Sequence, residues 1–126
     1  MDVKRYCVND KYTIKEVLEQ FESYNNRVAI VTSVSNKVIG VVSQGDILRA
    51  LSSGIGLYTP ISQIIKNSFL HLYKRDMDKA YPIFKKTLIS LLPVINEENE
   101  LIDFITIGDI YEYLENRSKD SETGSR

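Results

Sequence analysis

Gly40-Val41-Val42-Ser43-Gln44-Gly45-Asp46-Ile47 is met again 63 residues later as Asp103-Phe104-Ile105-Thr106-Ile107-Gly108-Asp109-Ile110. In both stretches an apolar run ends on a hydroxyl residue, and a carboxylate follows three positions on, just before a new apolar stripe. Working outward at the same offset, residues 13 to 51 lie over residues 76 to 114 without a gap. Phe21 falls on Phe84, Val31 on Val94, Asn36 on Asn99, Ile39 on Ile102 and Leu51 on Leu114, and apolar type agrees at most other positions expected to be buried. Self-similarity at a fixed period marks a duplicated supersecondary unit.

Each copy has the same local grammar. In the first, Thr13 precedes Ile14, Val17, Leu18 and Phe21, an i, i+3, i+4, i+7 stripe, and Thr13 with Glu16 forms a capping box, so a helix is predicted from there. It gives way near Tyr24-Asn25-Asn26 to a β-branched run, 28 to 32, then a polar loop and a second run, 38 to 42. That reads as a hairpin. A short helix with Ile47, Leu48, Ala50 and Leu51 follows, stopped by Ser52-Ser53-Gly54.

The second copy repeats this with Asp76 capping Met77, Ala80, Tyr81 and Phe84, strands over 91 to 95 and 101 to 105, and a helix from Ile110. Pro82 falls inside the predicted helix, where it deletes a donor and should kink or open the turn. Between the copies, Thr59-Pro60 is read as starting a further helix with Ile61, Ile64 and Ile65 on one face. Short extended segments, 6 to 8 and 69 to 72, precede each copy's first helix. The fold class is α+β: two helix-strand-strand-helix repeats, over residues 1–58 and 59–117, packing about a pseudo-twofold axis because neither small hairpin can bury a face alone. The cleft is expected between the copies. The polar stretch 118–126 is read as a linker or a cloning scar and excluded from the fold.

Composition removes several classes of function. Sixteen Lys+Arg against 17 Asp+Glu in 126 residues leave a formal charge of −1, so there is no overall basic field for nucleic acid. One cysteine, Cys7, cannot form an internal disulfide, and one histidine, His71, cannot alone build a zinc site. No metal site is expected. With neither a signal-peptide core nor about eighteen consecutive apolar residues, the chain reads as cytoplasmic with no membrane role. Phosphate loops ending in Gly-Lys-Ser or Gly-Lys-Thr and nucleophile–base motifs are absent, which makes a free-standing enzyme the weakest reading and leaves no catalytic residue to name. Gly54-Ile55-Gly56 reads as a linker turn, and Glu97-Glu98-Asn99-Glu100 as a solvated hairpin tip without calcium-loop spacing. Cys7 reads as a small buried residue and His71 as structural or solvent-facing; Tyr111 and Tyr113 either serve a dimer face or cover the core.

The paired strand exits carry the chemistry. A helix amino end offers unpaired amides and partial positive charge to a phosphate; Ser43 or Thr106 can add a hydroxyl, and an ionised Asp46 or Asp109 can accept hydrogen bonds from ribose hydroxyls. The same residues also suit a purely structural role, the carboxylates as helix caps and the hydroxyls satisfying the turn backbone.

With these motifs, the repeat grammar and the strand Leu-Pro-Val-Ile-Asn-Glu from Leu92 to Glu97, the chain resembles a tandem CBS domain pair, or Bateman module, over roughly residues 6 to 115. Residues 45 to 61 further resemble CBS pairs attached to sugar-phosphate nucleotidyltransferases, with those of sugar-phosphate isomerases close behind. The resemblance implies a regulatory module, self-associating into a flat homodimer. It implies binding of an adenosine nucleotide (AMP, ADP or ATP) between the repeats, no required cofactor, and control of an attached or partner enzyme. Ser43 and Asp46 match the family's phosphate-side hydroxyl and ribose-binding carboxylate, as do Thr106 and Asp109 in the second copy. Asp103 replaces the family's usual Gly, where a carboxylate opposes phosphate or close backbone approach, so the first site is favoured. Leu70 replaces a small hydroxyl residue common in the family and removes one polar contact. The alternative is a structural dimerisation module that binds no ligand.

Overall fold

The capping box expected at Thr13 forms, and the chain builds from it. In the computed structural model, which describes residues 1–66 and 68–124, Thr13 Oγ1 accepts from the Glu16 amide at 3.2 Å and the Glu16 carboxylate accepts from the Thr13 amide at 3.0 Å. These bonds start helix α2 (Ile14–Tyr24), which ends on Asn25 in the left-handed region at φ 52°. Ahead of it lie a single helical turn, α1 (Val3–Tyr6), and a short strand, β1 (Cys7–Asn9). Strands β2 (Val28–Thr32) and β3 (Val38–Ser43) form the expected antiparallel hairpin, and helix α3 (Gln44–Ser52) closes the repeat. β1 adds to β2 in parallel, giving a sheet of order β1-β2-β3.

The second repeat has α4 (Met77–Lys86), the antiparallel pair β4 (Leu91–Ile95) and β5 (Leu101–Thr106), and α5 (Ile107–Gly124). The extended segment expected over 69 to 72 makes one parallel bridge, Leu72 to Val94, a reduced counterpart of β1. The duplication reaches local irregularities: the hairpin register slips after Val31 in one copy and after Val94 in the other.

Three apolar clusters follow from strand alternation. Ala29, Val31 and Val42 face α2 and α3, meeting Ile14, Val17, Phe21 and Ile47. Leu92, Val94 and Ile105 do the same in the second repeat with Ala80, Phe84 and Ile110. The opposite faces meet each other: Ile30 and Val38 pack with Leu91, Ile95, Leu101 and Phe104 in a central cluster shared by both repeats. The hairpin tips add reciprocal bonds. Val38 N donates to Asn99 O at 2.8 Å and Leu101 N to Asn36 O at 3.1 Å, with both asparagines at φ 63°.

Four expectations are corrected. The helix expected from Thr59-Pro60 is a single 3-10 turn, Ile61–Gln63. Its first amides are taken by the first repeat, Ile61 N donating to Tyr12 O and Ser62 N to Asp10 O, while Ile61 is drawn into that repeat's core, so the chain is held as a strap. α4 runs through Pro82 without a break. Pro82 and Asp78, whose carbonyl loses its partner, are both exposed, so the missing bond falls on the wet side of the helix while Ala80 and Phe84 anchor the other. α5 begins at Ile107 rather than Ile110, directly at the strand exit, and it continues to Gly124 through most of the stretch read as a tail. Residues 125–126 of that stretch lie outside the described residues.

Candidate functional site

Ser43 ends β3 and is the N-cap of α3; Asp46 is the third residue of that helix. The pair closes a capping box in which the Asp46 amide donates to Ser43 Oγ at 3.1 Å and the Ser43 amide to Asp46 Oδ2 at 2.9 Å. The carboxylate is therefore not itself the cap, as the structural reading had it, but its reciprocal partner. Its outer oxygen, Oδ1, accepts from Arg49 Nη2 at 2.6 Å, an ion pair one helical turn away. Burial pushes the Asp46 carboxyl up, but the Ser43 amide and side chain and the Arg49 guanidinium outweigh it and hold the group below its ordinary value of 3.8.

Thr106 and Asp109 repeat the box, the Asp109 amide donating to Thr106 Oγ1 at 3.1 Å and the Thr106 amide to Asp109 Oδ2 at 2.8 Å. Here the cation comes from elsewhere. Arg75, just before α4, places Nη2 3.4 Å from Asp109 Oδ2 and Nη1 3.3 Å from Asp103 Oδ2, and donates to the Phe104 carbonyl at 3.0 Å. Asp103, expected to oppose a phosphate, thus carries its own counter-ion.

A cavity of about 370 Å³ opens beside the first motif and includes Ser43 and Asp46 in its wall. Thr106 and Asp109 are not part of that wall. The volume falls within the roughly 300–1,000 Å³ typical of small-molecule sites. Val28, Val41, Phe69 and Leu91, on the edge of the central cluster, supply an apolar side. The strap supplies another through Ile64, Ile65 and Lys66. Gly40 lets the strap come this close: a Cβ there would stand 3.2 Å from the Lys66 carbonyl and 3.2 Å from Ile65 Cδ1. Leu70 lines the cavity as expected of its position, and Ser68 and Ser90 bring hydroxyl-bearing residues to the same wall. Sequence reading missed Lys66, Ser68 and Ser90. Their signal was position, polar residues in the segments that lead into a predicted repeat and a predicted strand.

The remaining candidates take structural places. His71 Nδ1 lies 3.1 Å from the Phe69 carbonyl oxygen, and its ring sits between those of Phe69 and Tyr73. Burial, aided by the charge of Asp2, pushes the Cys7 thiol up to about 11, so little thiolate exists near neutrality. The Tyr113 hydroxyl donates to the Asp78 carboxylate, which ties α5 to α4, while Tyr111 is exposed. Among the described residues no group of three or more His, Cys, Asp or Glu could hold a metal, and no helix is long and apolar enough to cross a membrane.

Comparison with known proteins adds three findings. The model of the CBS domain family matches residues 1–53 and 74–116. An uncharacterized protein of Methanocaldococcus jannaschii is 23% identical over 124 residues, covering 86% of this chain; the chain spans 44% of that relative's length. Among solved structures, the Vibrio cholerae protein AcuB superposes with a TM-score of 0.78 at 22% identity, covering 94% of this chain and 88% of its own. A CBS domain protein from Pyrobaculum aerophilum complexed with AMP superposes with a TM-score of 0.71 at 23% identity, covering 90% and 92%.

Proposed function

The chain belongs to the CBS domain family, as a tandem pair of regulatory-module type, and from that premise we propose that it binds an adenosine nucleotide of the AMP, ADP or ATP class in the cavity beside α3. The observation that carries the reading is the cavity itself. It joins apolar walls able to flank a base to a helix amino end bearing Ser43 and Asp46, the groups suited to a phosphate and a ribose. The AMP held by the Pyrobaculum aerophilum protein supports the ligand class. Thr106 and Asp109 form the second candidate pair.

Binding asks Asp46 to exchange Arg49 for a sugar. The pair is local and exposed, and such pairs are worth about 0–1 kcal/mol, so the exchange is affordable. Hydrogen bonds to a charged group contribute about 1.5–3 kcal/mol. Asp46→Ala should therefore weaken AMP binding at least about tenfold by isothermal titration calorimetry; unchanged affinity in both Asp46→Ala and Asp109→Ala removes the proposal.

The chain is read as a cytoplasmic homodimer that reports nucleotide occupancy to an attached or partner enzyme. The resemblance of residues 45 to 61 to CBS pairs attached to sugar-phosphate nucleotidyltransferases makes such an enzyme the proposed partner. Catalysis belongs to the partner. A second reading, a dimerisation module without ligand, draws on one observation: both aspartates already serve capping boxes. It predicts no change in melting temperature with any adenosine nucleotide, whereas ligand at about 100 times its Kd should add roughly 2.7 kcal/mol.

A further inference from the structure

We infer that Arg75 closes the second cleft from within, so that the chain takes up one nucleotide, beside α3, while Asp109 is reserved for the fold. This rests on the nucleotide-binding reading above and concerns which of the two motifs a ligand can use.

The two capping boxes are alike, but their cations are not. Arg49 sits on the same helix as Asp46, three residues on, with 74% of its side chain exposed. A rotamer change frees Asp46. Arg75 comes from a different segment and is 43% exposed; it reaches two carboxylates and a carbonyl, on β5 and α5 together. The guanidinium beside Asp109 is anchored by hydrogen bonds elsewhere, to Asp103 Oδ2 and the Phe104 carbonyl, and Asp103 is itself fixed, since its Oδ1 accepts from the Phe104 amide at 2.8 Å; the cation 3.4 Å from Asp109 Oδ2 is therefore held in place there. A guanidinium that reaches several acceptors at once is held by all of them.

The counterparts in the first repeat explain why no such clamp forms there among the described residues. At the repeat offset, Asp103 corresponds to Gly40 and Arg75 to Tyr12. Glycine has no side chain to recruit a cation, and tyrosine brings none. The space over Gly40 is taken instead by the strap, whose residues Ile65 and Lys66 help wall the cavity. Two substitutions between the repeats thus turn one cleft into a ligand site and the other into a salt-bridged strut.

The test is AMP stoichiometry by isothermal titration calorimetry on the wild-type chain and on the double variant Arg75→Ser/Asp103→Gly. The expected result is one AMP per chain for the wild type and two for the variant. One AMP in both, or two in the wild type, overturns the inference and leaves the nucleotide reading standing. Binding by the variant alone supports the clamp and removes the first cleft as the site. Binding by neither defeats both. If the double variant fails to melt cooperatively, Asp109→Asn decides: AMP affinity within about twofold of wild type supports the clamp, loss as large as that of Asp46→Asn overturns it, and a wild type that binds nothing then counts against both.

Discussion

The two strand exits are near-copies in their hydrogen bonds and opposites in their surroundings. Each hydroxyl accepts from the amide of its aspartate at 3.1 Å, and each aspartate accepts from the strand-end amide at 2.9 Å in one repeat and 2.8 Å in the other. Beside the first lies a cavity walled by the strap; beside the second lies Arg75. The motif therefore sets local helix geometry, and residues outside it decide whether that geometry is free to meet a ligand.

Substitutions at paired positions can break this comparison. The largest effect is expected in the cores. Ile14→Ala, at a fully buried position, should cost about 2–5 kcal/mol by urea denaturation, and its counterpart Met77→Ala, partly buried, about half as much. Equal losses would show that both first helices are anchored alike. Next comes Gly40→Asp, which copies position 103 into the first repeat. Over-packing against the Lys66 carbonyl should cost about 1–3 kcal/mol and lower AMP affinity at least about tenfold, whereas Asp103→Gly should cost about 1 kcal/mol. Smaller still, Arg75→Gln should lose about 1 kcal/mol in the same denaturation assay and Arg49→Gln at most about 0.5, since only the first spans two elements.

The pH profile gives the finest comparison. Because the Asp46 carboxyl sits below its ordinary value in the folded chain, its stabilisation is complete above about pH 4, the unfolded value. It fades as the pH falls through the lower folded value. Asp46→Asn should remove that part of the acid limb, so thermal melts of variant and wild type should converge as the pH drops below 4. Parallel profiles would mean that the Ser43 and Arg49 bonds do not hold the charged form.

Much of the fold could be read from residue order because its determinants are local. Thr13 with Glu16, Asn25 after Tyr24, and the alternating runs at 28–32 and 91–95 each specify their element within a few residues. Two of the errors arose where tertiary surroundings, rather than neighbouring residues, decided the outcome. Pro60 is a good first helical residue, yet the amides that follow it pair with Asp10 and Tyr12. Pro82 is a helix breaker whose cost falls on an exposed turn. The site divides in the same way. Ser43, Asp46, Thr106 and Asp109 were legible as a repeated pattern, but Arg75 is 28 residues from Asp103 and nothing in its neighbourhood marks it. Lys66, Ser68 and Ser90 reach the cavity through the path of the chain between repeats, which no local period encodes.

The crossed bonds between the hairpin tips relate the two halves as an interface relates the subunits of a dimer. Val38 and Leu101 are counterparts, and so are Asn36 and Asn99, so the two bonds exchange into one another when the halves are swapped. That is the rule an isologous interface between identical subunits obeys. A single repeat by itself would leave that amide and carbonyl unpaired at its tip and its Ile30–Val38 face uncovered, so neither half is expected to fold stably without the other.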